Sequence, residues 1–430
     1  MKMLFSIAFI IAASFLTALA QEKNSLTSLD ALNQLAKQKV SAQANVPLAD
    51  QKAELCVGAD VLEAGKVPNY VRALALLPNA AKPFAITFRA YLYEGSVAPE
   101  TKMAMGVRIV QIYGSAYPAI HLQRLLRASE RGQKMLAAFK ANDLSTLSVG
   151  EQRAIHYADL LTRDIHGVND AEFHKTRASF NDSQIVELTM TTAFFNYFLR
   201  FCEGTNLPLE KWALDEPVAK ISAPKFEPLT ARISLVSNEQ MTLGAETMSA
   251  AEAQAKNPNG LGIGIANSQR AFMLVPNITR AWRAFTGVSR DYNQVTREIK
   301  LHVSFAISMA NGCRYCTLHQ VQGLRRLGVQ PSKLMAMARD DSQLSPRELV
   351  AVSFARKITR EPAKLGKADY DALVAEFQPQ GALEVLLQCG NFAYMNRFTD
   401  GLRLPSEDEA VHTYLETYGK SFEEVRKAKQ

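Results

Sequence analysis

An internal repeat is the feature that most constrains the fold. The stretch "RALALLPN" at 72–79 recurs as "RAFMLVPN" at 270–277, an offset of 198 residues. Three more pairs share this offset: Gly114 with Gly312, Tyr117 with Tyr315, and His121 with His319. Further along, the offset becomes 197, as for Thr162-Arg163 with Thr359-Arg360 and for Leu207-Pro208 with Leu404-Pro405. Order kept over about 140 residues indicates a tandem duplication of one domain.

The repeated unit is predicted to be helical. Apolar residues recur at intervals of three and four almost throughout, and alternating runs typical of strands are few. With 430 residues, of which 47% are hydrophobic, the chain can bury a sizeable core. We therefore expect an all-α fold made of two tandem helical bundle domains.

The repeat and the composition together suggest domain boundaries. We predict a signal peptide at 1–20, a polar leader at 21–45, a first domain at 46–222, a Pro-bearing linker at 223–235 and a second domain at 236–430. The signal peptide is inferred from Lys2, an apolar run, and small residues before a cleavage site at Gln21. A periplasmic or secreted protein is expected, and an uncleaved membrane anchor is the alternative.

Charge says little about partners. The formal net charge is +7, but Lys and Arg are scattered among acidic residues along amphipathic segments. Such segments are typical of solvated helix faces, so no nucleic-acid partner is predicted. The sequence also indicates no cofactor and no membrane span in the mature chain.

The five cysteines do not form a disulfide framework. Cys56 and Cys202 stand alone, and their pairing is left open by the sequence. Cys389 lies on an apolar helical pattern and is interpreted as a small buried hydrophobe. Cys313 and Cys316 alone form a constellation, in "ANGCRYCTLH".

This constellation favours a redox dithiol. Gly312 is expected to end one helix, and a helix starting at Cys313 would hold both cysteines in its first turn. Unpaired N–H groups and the helix dipole stabilise a thiolate there. His319, one turn beyond Cys316, would accept its proton. A structural disulfide is the competing interpretation, although a link between near neighbours removes little chain entropy.

A metal site is a weaker alternative. It would use Cys313, Cys316, His319 and His302, but no second Cys/His pair has zinc-finger spacing. We therefore predict no metal. His302, beside an apolar stripe, is expected to be a partly buried histidine with its hydrogen bonds satisfied.

The chain resembles the AhpD-like superfamily, which groups alkylhydroperoxidase D-type proteins with carboxymuconolactone decarboxylases. The motifs that carry the resemblance are "RAFMLVPN", "ANGCRYCTLH" and "YMNRFTDGLRLP", with "VPNYVRALALLPN" and "GSAYPAIH" in the first half. Together they span most of residues 60–405. The resemblance implies a helical bundle whose CxxC opens a helix beside a pocket.

In the peroxidase branch of this superfamily, the second cysteine attacks peroxide and the first closes a disulfide. This implies that Cys316 is peroxidatic and that Cys313 is resolving. The branch also has a glutamate and a histidine that relay the proton, but Leu301 and Gln320 hold their places in this chain. Glu298 and His319 lie nearby in sequence and are the candidate substitutes.

The first half lacks the thiols, since Ser115 and Pro118 hold the cysteine positions. The leading hypothesis is an exported hydroperoxide-reducing thiol oxidoreductase that needs an unknown dithiol donor. A decarboxylase- or lactonase-like enzyme acting without thiols is the second hypothesis, and a non-catalytic binding or assembly protein is the third. Because superfamily members assemble through helical faces, a homo-oligomer is expected.

Overall fold

The computed structural model describes residues 266–427 and residues 26–215, except for nine scattered positions between 51 and 64. The predicted signal peptide, the predicted linker and the start of the predicted second domain lie outside the described residues. Within them the secondary structure is helical and no β-strand occurs. The predicted all-α fold is confirmed.

In the first half, the connections between successive described helices are short from α2 onward, whereas a longer segment separates α1 from α2. They are α1 (Leu29–Lys39), α2 (Asn69–Leu74), α3 (Ala81–Tyr93), α4 (Pro99–Tyr113), α5 (Ala116–Leu126), α6 (Glu130–Ala141), α7 (Val149–Arg163), α8 (Asp170–Arg177), α9 (Asp182–Thr205) and α10 (Lys211–Asp215).

The second half has α11 (Asn267–Phe272), α12 (Pro276–Asp291), α13 (Arg297–Asn311), α14 (Arg314–Arg326), α15 (Pro331–Arg339), α16 (Pro346–Arg360), a short 3₁₀ turn (Pro362–Lys364), α17 (Lys367–Gly401), α18 (Asp408–Tyr418) and α19 (Phe422–Lys427). Equivalent helices start at the offsets seen in the sequence: α13 and α14 begin 198 residues after α4 and α5, and α16 begins 197 after α7.

The long helix α17 corresponds to two helices of the first half. Its 35 residues are interrupted at Gln378, whose φ of 59° and ψ of 169° are not helical. Pro379 follows, and a proline both lacks an N–H group and disfavours helical geometry in the residue before it. The part of α17 before this kink matches α8, and the part after it matches α9.

The two halves share one core. Helices α9 and α17 pack along each other at its centre, and a single hydrophobic cluster contains residues of both halves. Two buried arginines cross the contact reciprocally: Arg200 Nη2 donates to the Thr359 carbonyl at 3.1 Å and Arg397 Nη2 to the Thr162 carbonyl at 3.2 Å. Each half therefore satisfies backbone groups of the other.

Helix α1 lies within the predicted polar leader. Its apolar side, Leu29, Leu32 and Ala36, is buried, and the helix packs against α5. This segment is therefore part of the folded first half. None of the helices in the described residues is long and apolar enough to cross a bilayer.

Candidate dithiol site

The chain reverses between α13 and α14, and this turn creates the site. Gly312 ends α13 with φ 78° and ψ 22°, a left-handed conformation that glycine adopts without strain. Cys313 is the N-cap of α14, and its Sγ accepts a hydrogen bond from Cys316 N–H at 3.3 Å. The predicted helix start at the first cysteine is confirmed. Both thiols lie in the first turn, beside the positive end of the helix dipole.

Thr399, near the end of α17, joins the two sulfurs. Its hydroxyl oxygen lies 3.4 Å from Cys313 Sγ and 3.4 Å from Cys316 Sγ. The Thr399 hydroxyl donates its own hydrogen to the Met395 carbonyl at 2.9 Å. The oxygen is therefore left to accept from an S–H group. One hydroxyl thus holds both sulfurs in one small volume.

Burial separates the two thiols chemically. Cys313 is fully buried at 0% exposure, whereas Cys316 is 4% exposed. Burial, together with Cys316 and Asp400, raises the pKa of Cys313 well above its ordinary value. Cys313 is thus held as a thiol, and Cys316 is the cysteine with the slightly greater exposure.

His319 binds a carboxylate that the sequence motifs do not single out. Its Nε2 lies 2.6 Å from Glu407 Oε2, and its Nδ1 lies 2.7 Å from the Tyr315 carbonyl. Glu407 Oε1 also accepts from Asn267 N–H at 2.7 Å. Burial opposes ionisation of Glu407, but the contacts with His319 and Asn267 prevail and lower its pKa to about 2. The structure therefore directs the ring nitrogens of His319 to Glu407 and Tyr315.

The first half repeats this arrangement without any thiol. His121 Nε2 lies 3.1 Å from Glu210 Oε2, and Tyr117 donates to Glu210 Oε1 at 2.8 Å. Glu210 and Glu407 are 197 residues apart, so a comparison of the two repeats could have identified both from the sequence. The recurrence indicates that the His–Glu pair ties the start of α10 or α18 to the bundle.

Glu298 lies far from the sulfurs along α13. It sits in the first turn of this 15-residue helix, which is roughly 22 Å long, whereas Cys313 follows the last turn. Its Oε1 lies 3.0 Å from Lys333 Nζ and 3.7 Å from His302 Nε2. The structure brings Cys313, Cys316 and Thr399 together, and it places Glu298 in a different cluster.

His302 differs from expectation. It is fully buried at 0% exposure, rather than partly. Its Nδ1 lies 3.2 Å from Glu348 Oε1, but neither ring nitrogen meets the geometry of a hydrogen bond. Glu298, His302 and Glu348 give a group of possible metal-ligating atoms within 4.8 Å of one another. Lys333 Nζ already lies 2.7 Å from Glu348 Oε1, so its ammonium group offsets part of the negative charge of the two carboxylates.

Two further groups lie beside Cys313. Asp400 follows Thr399 directly, and Asp400 and the Cys313 thiol shift each other's pKa. His166 comes from the loop after α7, in the first half, and its Nε2 lies 3.2 Å from the Gly312 carbonyl. Neither Asp400 nor His166 was predicted from the sequence. Asp400 reaches the thiols only when α17 packs across α14, and His166 reaches the turn before α14 only when one half packs on the other.

The remaining cysteines are buried free thiols: Cys56, Cys202 and Cys389. Cys389 is 1% exposed, as expected of a small buried hydrophobe. Cys202 lies 197 residues before Thr399 and so holds its place in the first half. Cys56 and Cys202 are each unpaired in the structure.

Comparison with known proteins finds a family match within the second half. Residues 276–357, from α12 into α16, match the carboxymuconolactone decarboxylase family and include both cysteines of the site. The chain thus carries a domain of this family, and the relationship inferred from the motifs is confirmed for this part of it.

A solved structure is also similar: a variant of the debrominase Bmp8 in complex with 2,3,4-tribromopyrrole. The two are 21% identical, the match covers 43% of this chain and 98% of that chain, and the TM-score is 0.35. A similarity at this level says nothing about substrate. No curated protein matches the chain.

Proposed function

We propose that the protein is an exported thiol-dependent oxidoreductase of the alkylhydroperoxidase type, which reduces hydroperoxides through a Cys313/Cys316 dithiol–disulfide cycle. The observation that carries the proposal is the placement of both sulfurs against one hydroxyl, that of Thr399, in the first turn of α14. Two thiols held this way can close a disulfide with little movement of the backbone.

The difference in burial supports distinct roles. Cys316, the slightly more exposed cysteine, attacks the terminal oxygen of the hydroperoxide; the O–O bond breaks, an alcohol leaves with a proton, and a sulfenic acid forms on Cys316. Cys313 then attacks that sulfur, the S–O bond breaks, and water leaves as the disulfide closes. A dithiol donor reduces the disulfide and completes the cycle.

The proposed location and donor rest on the sequence. The N-terminal pattern supports export, in which case the donor must be a dithiol protein or small dithiol outside the cytosol. Mass measurement of protein recovered from cells tests this part, since export with cleavage predicts a mature chain beginning at Gln21. A chain retaining residue 1 would contradict it.

The activity test is consumption of an organic hydroperoxide by purified protein with dithiothreitol in excess. We expect turnover by the wild type and only the background rate in the Cys316→Ser variant. Cys313→Ser should complete one reduction without dithiothreitol and accumulate a sulfenic acid that dimedone traps. The Cys389→Ala variant is the matched control, because it removes a buried thiol outside the site.

An inert Cys313–Cys316 disulfide, with no turnover by any variant, would overturn the proposal. Activity that survives Cys316→Ser would point to a second candidate, an enzyme acting without thiols.

A further inference from the structure

A buried carboxylate lies directly behind the dithiol. Asp400 lies near the end of α17, one residue after Thr399, and its side chain is 13% exposed. Its Oδ2 is buried and has no hydrogen-bond partner. An unpartnered buried carboxylate oxygen costs free energy unless something compensates. The Cys313 thiol is near enough for the two groups to shift each other's pKa.

A histidine of the first half bridges this carboxylate and the turn before the thiols. His166 Nδ1 lies 3.7 Å from Asp400 Oδ1, and its Nε2 lies 3.2 Å from the Gly312 carbonyl. The loop that carries His166 is fixed by a hydrogen bond from its own N–H to Asp164 Oδ1 at 3.0 Å. Ile165 and Val168, on either side, are buried. The backbone that carries the histidine is therefore fixed, while its ring is 45% exposed.

We propose that Asp400 is the proton acceptor for Cys313 during disulfide closure, and that His166, supplied by the thiol-free half, positions its carboxylate. The inference rests on the proposed function and gives the first half a part in the site. As Cys313 Sγ attacks the oxidised Cys316 sulfur, its proton passes to Asp400. The departing hydroxide takes that proton back and leaves as water, so the carboxylate is restored.

The electrostatics support this assignment. Burial raises the pKa of Cys313 well above its ordinary value, so this sulfur needs a base to become a nucleophile. Burial also raises the pKa of Asp400 to about 6, with Asp164 adding to it and with Cys313, His166 and Arg426 opposing it. A base with a raised pKa is better matched to a thiol proton than an ordinary aspartate.

The first half contains a counterpart of this pair that serves as a control. Ser115 and Glu203 hold the places of Cys313 and Asp400 in the repeat. Ser115 Oγ donates to Glu203 Oε1 at 2.5 Å, and Lys39 Nζ lies 3.9 Å from Glu203 Oε2. A Glu203→Gln variant therefore removes an equivalent buried charge without touching the thiols.

The test measures the rate of Cys313–Cys316 closure in pre-reduced, full-length protein. One arm adds one equivalent of organic hydroperoxide and follows sulfenic acid and disulfide by mass. The other arm adds oxidised dithiothreitol, which closes the same disulfide without peroxide. Asp400→Asn should slow closure on the order of 10²-fold in both arms. Glu203→Gln should match the wild type, and Asp400→Glu should restore part of the rate.

The role of His166 is read from a pH profile of closure. Because His166 lowers the pKa of Asp400, His166→Gln should move the rise in closure rate to higher pH, a shift that a purely structural role would not produce. Closure by Asp400→Asn at the wild-type rate in the dithiothreitol arm would overturn the inference. If the wild type closes the disulfide in the dithiothreitol arm but not in the peroxide arm, the proposed function is wrong. The dithiothreitol arm then still tests whether Asp400 accepts the proton of Cys313.

Discussion

Ser115 and Cys313 hold the same position in the two halves, and their surroundings show what the duplication kept and what it changed. Each caps a helix after a left-handed glycine, Gly114 with φ 68° or Gly312 with φ 78°. Each has a carboxylate behind it from the end of a long helix. One turn on, however, the first half has Pro118 where the second has Cys316.

The difference lies in the reactive groups, while the framework is shared. Pro118 removes any chance of a dithiol, and Cys202 stands where Thr399 holds the two sulfurs. A His–Glu pair and a Lys–Glu pair recur in both halves. Pairs made of identical residues in both halves are therefore interpreted as parts of the scaffold, and residues that differ between the halves as candidates for chemistry. Substitutions at matched positions of the two halves test this distinction.

The largest effect is expected at the Lys–Glu pair of the first half. Lys102 Nζ lies 2.9 Å from Glu187 Oε1, and the two side chains are 0% and 1% exposed. Lys102→Met would leave a carboxylate buried without its cation, which costs about 3–5 kcal/mol. Urea unfolding followed by circular dichroism measures this loss.

Lys300 in the second half is the matched comparison. It lies 3.1 Å from Glu384 Oε2; the glutamate is 1% exposed, but the lysine is 14% exposed, so solvent already reaches the lysine end of this pair. We expect a smaller loss for Lys300→Met, about 1–3 kcal/mol. Equal losses for the two variants would show that exposure does not set the strength of this repeated pair.

Much of the fold could be predicted from the sequence, because periodicity, glycine positions and the repeat all act locally. The helix start at Cys313 followed from Gly312 alone. Thr399 and Asp400 could not be found this way, since they reach the thiols only when α17 packs across α14. His166 could not be predicted either, because its contact with the Gly312 carbonyl depends on packing between the halves. Its place in the repeat is held by Ala363, so the duplication gave no hint.

The His–Glu pair of the second half should contribute to stability in a pH-dependent way. The pKa of Glu407 is lowered to about 2 from 4.5, so this carboxylate stabilises the fold above about pH 4.5 and loses that effect as pH falls toward 2. The contribution is about 1–2 kcal/mol once solvent screening of this partly exposed pair is allowed for. Glu407→Gln should flatten the acid side of the curve of unfolding free energy against pH over this range.

Glu210→Gln is its counterpart in the first half. Burial opposes ionisation of Glu210, but His121 prevails and lowers its pKa, so the acid-side loss should appear in this half too. The Glu210 side chain is only 4% exposed, against 21% for Glu407. The Gln variant at 210 should therefore be the less stable of the two at pH 7. The reverse order would show that the two pairs are not equivalent parts of the scaffold.

The smallest effect is expected at the two glycines that precede the caps. An alanine at either position is forced into a left-handed conformation, which costs about 1–2 kcal/mol. At Gly114 the new Cβ would lie 3.3 Å from Thr27 Oγ1, a close but tolerable contact. At Gly312 it would clash with the guanidinium group of Arg426, on α19.

The side chain of Arg426 can swing aside, so Gly312→Ala should be only slightly less stable than Gly114→Ala. The sharper difference is expected in access to the thiols, because displacing Arg426 uncovers the turn that leads to Cys313. Alkylation of Cys313 in reduced protein should be faster in Gly312→Ala than in the wild type and unchanged in Gly114→Ala. Equal alkylation rates in all three would mean that Arg426 does not shield the dithiol, and that its contact with Gly312 is packing alone.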